Sequence, residues 1–505
     1  MASTKYFPVV FAPDLDPSWG INPGVLTDVQ NMVPTKRGTL QNYACATTLG
    51  TTFSESTYST PLTGAIIKKV DGTARLFVAT LTRLMEATDT STWIDRSKGA
   101  ADYSFTSDNH RYDEDWQFTS YGNDVIAVSK SNNPQVINAS SAFADLGGSP
   151  PKAACCTTNK NFVLLGNCNN GVNDLGDQIW WSGLGNDATW TADAATQAGN
   201  YRLLDTPGNV TALVNMRESV IAYKEDSVYL GDYQGSPLLW TWRLITDKVG
   251  CASPHGVAIV DGIHYFCHRT GIFRFDGASV QPIGPLINNY LCVKLGDQSK
   301  YATAHAVYDE SSSLILWYFN TTADSTAYTR QHALAFNPKT GQYGYVTDGW
   351  DTGICRGVVK ATLSDIAAWQ PTLGTTANTT SNILLVGQVV STTNAVIKTV
   401  RLGDTNSSAT MSITTGDIGD DMTFAKVTGV KARWLSYSGT LANMTVSGRK
   451  YQGDTASDTA TFTADATNAR WDGAMSRRIH YMTVPISTYG ELAGLFITSV
   501  PAGAQ

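Results

Sequence analysis

The stretch "GIFRFDGASVQPIG", Gly271 to Gly284, alternates bulky and polar residues, turns at Asp276-Gly277 and alternates again. Ile272, Phe273 and Phe275 read as one strand, Asp-Gly as the positive-φ turn of a two-residue hairpin, and Val280 and Ile283 as the start of the return strand. One hairpin specifies a local structure and nothing more. What matters is whether the chain repeats it.

The same texture recurs at 64–97, 116–147, 159–193, 210–245, 256–284 and 304–346, and each segment reads as four short strands joined by turns. The closing strands are marked by Trp93, Phe143, Trp190, Trp242, Val280 and Tyr343. A loose period of about 40–50 residues with four strands per unit is the pattern of propeller blades. A four-stranded sheet cannot cover both of its faces alone, whereas sheets packed radially cover one another. The spacing is irregular, so a string of unrelated antiparallel meanders or a pair of sandwiches stays open as an alternative. Beyond residue 400 the strands lengthen, at 408–451 and 478–500, on either side of a Thr/Ala/Asp-rich separator at 453–468. A Thr/Ser/Asn-rich run at 375–382 reads as a long loop near that boundary. The expected architecture is therefore all-β: a β-propeller of about six four-stranded blades over 61–400 and a β-sandwich or platform domain over 401–505. Residues 1–60, with Pro8, Pro13, Pro17, Pro23 and Pro34, read as an extended N-terminal arm that contributes to the platform and lies on another surface.

Composition agrees with many short strands. Of 505 residues only 16 % are charged, and 44 are Gly, while 42 % are hydrophobic, which is enough to bury large cores. The net charge of −7 and the lack of any Lys/Arg run of five argue against a surface that grips nucleic acid by its phosphates. The N-terminus has neither a basic region nor a long apolar core, so no secretory signal is expected, and no apolar run is long enough to span a membrane. The eight cysteines, Cys45, Cys155, Cys156, Cys168, Cys251, Cys267, Cys292 and Cys355, are scattered without CxxC spacing and read as buried thiols of a protein made in a reducing cytoplasm.

Candidates for chemistry are few. His264 and His268 lie four apart on a strand, about 13 Å from each other, too far to share a metal. Asp14 and Asp16 in "APDLDPSWG", and Asp113, Glu114 and Asp115 in "DNHRYDEDW", are paired carboxylates of the kind a glycosidase or a calcium site would use. The first group lacks the later ligands of a calcium loop, and the second reads as a solvated inter-blade turn. The sequence has no nucleophile elbow, P-loop or dinucleotide fingerprint. No catalytic, cofactor-binding or metal-binding residue is nominated, and no enzyme activity or cofactor is expected.

The span 218–284 resembles a passage of tail proteins from tailed bacteriophages. The resemblance rests on Ile221, Lys224, Ser227 and Tyr229, then Gly250-Cys251 with Pro254, then Gly271 to Gly277. "NPGVLTDVQNMVPTKRGTL", 22–40, is similar to the opening segment of the same proteins. The chain thus resembles the tail hub or nozzle proteins of short-tailed phages. That resemblance implies a structural virion protein assembled in the host cytoplasm and located in the virion tail. Its copies would form a hexameric ring below the portal and adaptor, contact tail fibres or spikes, and pass double-stranded DNA during ejection without recognising its sequence. Two other function classes stay open: a glycan-binding or depolymerising propeller of a phage receptor-binding apparatus, and a monomeric host-type propeller scaffold that binds peptides on its top face.

Overall fold

The computed structural model describes residues 3–501 except 19–20, 23, 44, 55–62, 69, 71–73, 88–92, 101–102, 106–113, 139–141, 311, 323–329, 348–351, 354–383, 392–393, 401–410, 420–424, 439–441, 450–457, 466–469, 478 and 487–488. Five separate four-stranded antiparallel sheets follow one another along the chain. Blade 1 comprises Thr63–Lys68, Ala74–Ala79, Leu84–Ala87 and Trp93–Asp95. Blade 2 comprises Gln117–Tyr121, Asp124–Ser129, Asn132–Ile137 and Ala144–Asp145. Blade 3 comprises Lys152–Asn159, Phe162–Asn169, Asp174–Trp181 and Gly199–Arg202. Blade 4 comprises Val210–Met216, Ser219–Lys224, Val228–Gly235 and Leu239–Thr246, and blade 5 comprises Val257–Val260, Ile263–His268, Gly271–Phe275 and Val280–Pro282.

Turn chemistry explains the tight hairpins. Asn159 faces Phe162 across Lys160 and Asn161, both at positive φ, and Val260 faces Ile263 across Asp261 and Gly262, also both positive. Two successive left-handed residues give the turn whose twist matches that of the strands. The Gly271–Gly284 hairpin departs from the expected two-residue turn. Phe275 faces Val280, so its loop has four residues, and Asp276 Oδ1 accepts the Ala278 and Ser279 N–H groups at 2.9 Å each.

Alternating apolar residues pack blade against blade. Phe77, Leu84, Trp116 and Val125 share one core between blades 1 and 2, and Val220, Tyr229 and Trp240 of blade 4 pack on Phe162 and Trp181 of blade 3. Trp190 is not on a closing strand as expected. It sits in the loop before Gly199–Arg202, 1 % exposed, among Ile126, Val128 and Val163, with its Nε1–H donated to the Asp187 carbonyl. It plugs the seam between blades 2 and 3. A ladder of polar contacts joins the inner strands: Thr63 Oγ1 to the Trp116 carbonyl at 2.8 Å, Thr119 Oγ1 with Thr158 Oγ1 at 2.9 Å, Asn215 Nδ2 to the Thr158 carbonyl at 2.7 Å, and Thr211 Oγ1 to the Cys251 carbonyl at 2.9 Å.

Among the described residues the free-standing blades number five, where about six were expected. The sixth unit, 304–346, does form four antiparallel strands, His305–Asp309, Leu314–Phe319, His332–Asn337 and Gln342–Val346. Its last strand, however, continues into a neighbour, Tyr345 pairing with Met32, and so merges with a seventeen-stranded sheet. A propeller blade keeps its outer edge free. This one is covered by the N-terminal segment. A further four-stranded sheet combines Cys45–Ser54 with Thr352–Gly353, Leu384–Ser391 and Asn394–Val400.

The large sheet is woven from both ends of the chain. Ser3–Pro8 pairs with Gly494 to Ser499, and Val25–Gln30 pairs with Met411–Thr415. Ala425–Ser438 runs beside Tyr489–Pro501, and Met444–Arg449 beside Ile479–Ile486. The surface on which the proline-rich N-terminus lies is thus the chain's own C-terminal sheet. Within the expected separator, Asp458–Asp465 is a strand that buries Phe462, and the run at 375–382 lies outside the described residues.

One α-helix occurs among the described residues, α1 at Asn288–Leu295, burying Leu291 and Leu295 and ending at Gly296 in the left-handed region. Asn288 fills a cradle between the two glycines that bound the blade 5 hairpin. A Cβ on Gly271 would lie 2.3 Å from its Nδ2, and one on Gly284 would lie 2.1 Å from its Oδ1. Replacing Gly284 by Ala is therefore expected to cost about 1–3 kcal/mol of stability through overpacking. Adding Asn288→Ala should recover a large part of that loss. Urea unfolding of the two single variants and the double variant checks this, and strict additivity would contradict the cradle.

Candidate functional site

The carboxylates singled out in the sequence serve the fold. Asp14 accepts the N–H groups of Asn289 and Tyr290, at 2.7 and 2.8 Å, so its negative charge caps the positive end of α1. Asp16 accepts the Ser18 N–H at 2.9 Å. Asp113 lies outside the described residues. Its neighbours do not form the solvated turn that was expected. Glu114 is 4 % exposed and accepts the Ser131 hydroxyl at 2.6 Å. Asp115 is fully buried and 2.7 Å from Arg330 Nη2, and Arg330 Nε donates to the Thr303 carbonyl. The reason is topological, because Asp115 precedes the inner strand of blade 2 and meets a guanidinium arriving from the sixth unit.

The two histidines diverge as well. His264 contacts Tyr223 Oη through Nδ1 at 2.9 Å and the Asn215 carbonyl through Nε2 at 3.0 Å. His268 contacts Asp226 through Nε2 at 2.9 Å and Thr270 through Nδ1 at 2.7 Å. Asp226 also takes Arg269 at 2.7 Å, and both line a cleft of about 330 Å³ with Glu225, His268 and Ser299. Among the described residues no group of three His, Cys, Asp or Glu is placed to hold a metal ion. Cys155, Cys156, Cys168, Cys251 and Cys267 are all buried.

The residues that carry the phage-tail resemblance form a clamp between blades 3 and 4. Lys224 is buried, and its ammonium donates to the carbonyls of Leu203 and Thr206, at 2.6 and 2.7 Å. Burial pulls its pKa below the ordinary lysine value. Ser227 and Tyr229 both share hydrogen bonds with the Thr206 hydroxyl at 2.8 Å. Gly250 is required because a Cβ there would lie 2.0 Å from the Lys224 carbonyl, which accepts the Cys251 N–H. The motif thus fixes how one blade hands the chain to the next.

Sequence reading missed a cavity of about 200 Å³ at the propeller axis. Thr63 to Ile67 of blade 1, Trp116 to Ser120 of blade 2, His255 ahead of blade 5 and His305 of the sixth unit line it. Segments of non-neighbouring units meet here as they do near the axis of a ring, and beside the cavity Gln117 Nε2 donates to the Pro254 carbonyl at 2.9 Å. The rings of His255 and His305 lie 5.0 Å apart, held by the Ala306 N–H donated to the His255 carbonyl. Fifty residues of sequence separate the pair, and nothing in local spacing announces it.

No family model matches the chain, and no curated protein matches it. Among solved structures it is similar to the extracellular domain of a one-component system of B. thetaiotaomicron, at 6 % identity and a TM-score of 0.39, over 83 % of this chain and 46 % of that one. It is also similar to PorZ, a surface component of the type-IX secretion system of Porphyromonas gingivalis, at 8 % identity and a TM-score of 0.33, over 75 % and 43 % of the two chains. A third similarity is to an exo-β-1,3-galactanase of Phanerochaete chrysosporium, at 10 % identity and a TM-score of 0.28, over 89 % and 99 %. The chain spans less than half the length of the first two.

A structural role for the Asp115 carboxylate has a measurable consequence. Asp115→Asn leaves the buried Arg330 charge without its counter-charge and should lower stability by about 3–5 kcal/mol, whereas Asp115→Leu with Arg330→Met should come close to wild type. Chemical unfolding followed by tryptophan fluorescence reads both, and an unchanged Asp115→Asn midpoint would remove the carboxylate from the structural account.

Proposed function

We propose that this chain is a tail nozzle or hub protein of a short-tailed bacteriophage, a structural component of the virion tail assembled in the host cytoplasm. The observation that supports it most is the platform. A sheet built from both chain ends terminates at Ser3–Pro8, which pairs on one side only among the described residues and exposes most of its side chains. An unpaired edge invites another strand, and head-to-tail contacts between copies close into a ring when the rotation permits. In this reading six copies form the ring, with the platform facing the adaptor and the propellers carried outside, where tail fibres or spikes attach.

The DNA path follows from dimensions. A cavity of about 200 Å³ is far too small for a duplex, so the conduit runs through the centre of the ring rather than along the propeller axis. The net charge of −7 suits a wall past which phosphates slide without being gripped. The carboxylates Asp14, Asp16, Glu114 and Asp115 are occupied in structural contacts, and the reading assigns no enzyme activity and no cofactor. Native mass spectrometry of the purified chain, alone and mixed with its adaptor, tests the proposal. A six-copy complex formed with the adaptor is expected. A persistent monomer that binds or cleaves surface glycan would overturn it in favour of a receptor-binding propeller.

A further inference from the structure

The outward face of the platform sheet carries a groove of about 490 Å³. Two cross-strand rows build it over Ser3–Pro8, Tyr489–Pro501, Ala425–Ser438 and Arg470–Arg477. Tyr6, Phe496, Lys431 and Arg470 are direct partners in one row, and Thr4, Thr498, Gly429 and Asp472 in the other. Residues directly opposite in antiparallel strands point to the same face. The alternate residues Ala432, Trp471, Leu495 and Ile497 point the other way, into the core. All of the two rows except Tyr6 line the groove, and Gly429, with no side chain between Thr498 and Asp472, forms its floor. A Cβ on Gly429 would meet only Asp472 Oδ1 at 3.6 Å and the Trp471 carbonyl at 3.7 Å, so the space above it is open. The charged groups reach solvent: Arg470 and Asp472 have side chains 49 % and 50 % exposed, and Lys431 is exposed. Arg470 Nε donates to Asp472 at 2.8 Å and lies 3.5 Å from Asp465, which matches its charge. Lys431 has no ion pair among the described residues and is the unmatched charge of the lining. Phe496 is its aromatic ring, half-buried against Tyr6 at 4.9 Å. The Thr4 and Thr498 hydroxyls share a hydrogen bond of 2.9 Å and keep acceptor capacity.

We propose that this groove binds a carboxylated sugar, a hexuronic acid residue. Its carboxylate pairs with Lys431, the C–H face of its ring lies on Phe496, and its hydroxyls meet Asp472, Arg470 and the threonines. Charge decides the ligand class. One unmatched ammonium suits a monoanion, whereas a nucleic acid strand brings a charge at every nucleotide and is gripped by a series of cations. A neutral sugar leaves the ammonium unused. Size agrees, because small-molecule sites run to roughly 300–1,000 Å³ and combine apolar surface with a few placed polar groups. The site lies on the platform, so it depends neither on the tail reading nor on a glycan site in the propeller.

The test is ligand-observed saturation-transfer NMR on the intact chain, titrating methyl β-glucuronide, methyl β-glucoside and a short oligodeoxythymidylate at matched ionic strength. Saturable binding of the glucuronide, at least tenfold tighter than that of the glucoside, is expected. Lys431→Met, which keeps most of the apolar stem and removes the charge, should erase the difference between the two sugars. Gly429→Leu fills the floor of the groove at a position outside the left-handed region, and should weaken glucuronide binding at least tenfold. Should either variant fail to fold, the preference of the wild type among the three probes decides alone. No saturable glucuronide binding, equal affinity for the two sugars, tighter binding of the oligonucleotide, or unchanged binding in either folded variant would overturn the proposal.

Discussion

The architecture depends on the seating of Asn288 between Gly271 and Gly284. That contact couples three parts of the chain. The hairpin belongs to blade 5, Asn288 opens α1, and α1 is capped by Asp14 from the N-terminal segment. The same junction carries a charge cluster: Tyr290 donates its hydroxyl to Asp28, and Lys294 lies 3.3 Å from Asp28 and over the rings of Tyr290 and Tyr345. Burial, reinforced by the Asp28 charge, pushes the Tyr290 hydroxyl far above its ordinary pKa, so it remains a donor under all physiological conditions. Around it lies one apolar core containing Phe11 and Val29 from the N-terminal segment, Ile272 from blade 5, Leu291 and Leu295 from α1, Trp317 and Tyr345 from the sixth unit, and Leu492 and Leu495 from the last strand.

This shared core explains why the sixth unit is not a free-standing blade. Consecutive blades from 1 to 5 share local clusters, each confined to two neighbours, and only the second face of blade 5 enters the common core. The sixth unit instead puts Ile315, Trp317, Leu334 and Phe336 into the core built with both chain ends, and its edge strand is paired by Met32–Pro34. Its second face packs Val307, Leu316 and Tyr318 against Val33 and Tyr43, the two tyrosine hydroxyls meeting at 2.7 Å. The propeller and the platform are therefore joined through packed side chains rather than by a flexible linker.

Period-2 alternation and turn residues made the repeated four-stranded units legible, because those signals are local. Blade 5 could be read from Ile272, Phe273, Phe275 and Val280 alone. What stayed hidden was set by distant partners. Helix α1 lacks a side-chain N-cap of its own, and Asp14, hundreds of residues away, provides the cap. Trp190 sits at the period of a closing strand, yet its ring fills an inter-blade seam. Glu114 and Asp115 looked solvated because acidic runs usually are, and the Arg330 that pairs with Asp115 comes from the sixth unit, 215 residues away. The axial cavity was invisible for the same reason, since its lining is gathered from four segments that share no spacing. The resemblance to tail proteins, by contrast, rested on residues whose work is mechanical: Lys224, Ser227, Tyr229 and Gly250 hold consecutive blades together.

The claim that the N-terminal segment, α1 and the last strand share one core with blade 5 is tested most directly by hydrogen exchange of the intact chain, read by mass spectrometry. The account predicts that peptides covering Val25–Gln30, Asn288–Leu295 and Tyr489–Pro501 are protected to a similar degree, and that they lose protection together as denaturant is added. Rapid exchange of Val25–Gln30 at the rate of an unstructured chain, while blade 5 and Tyr489–Pro501 stay protected, would contradict it.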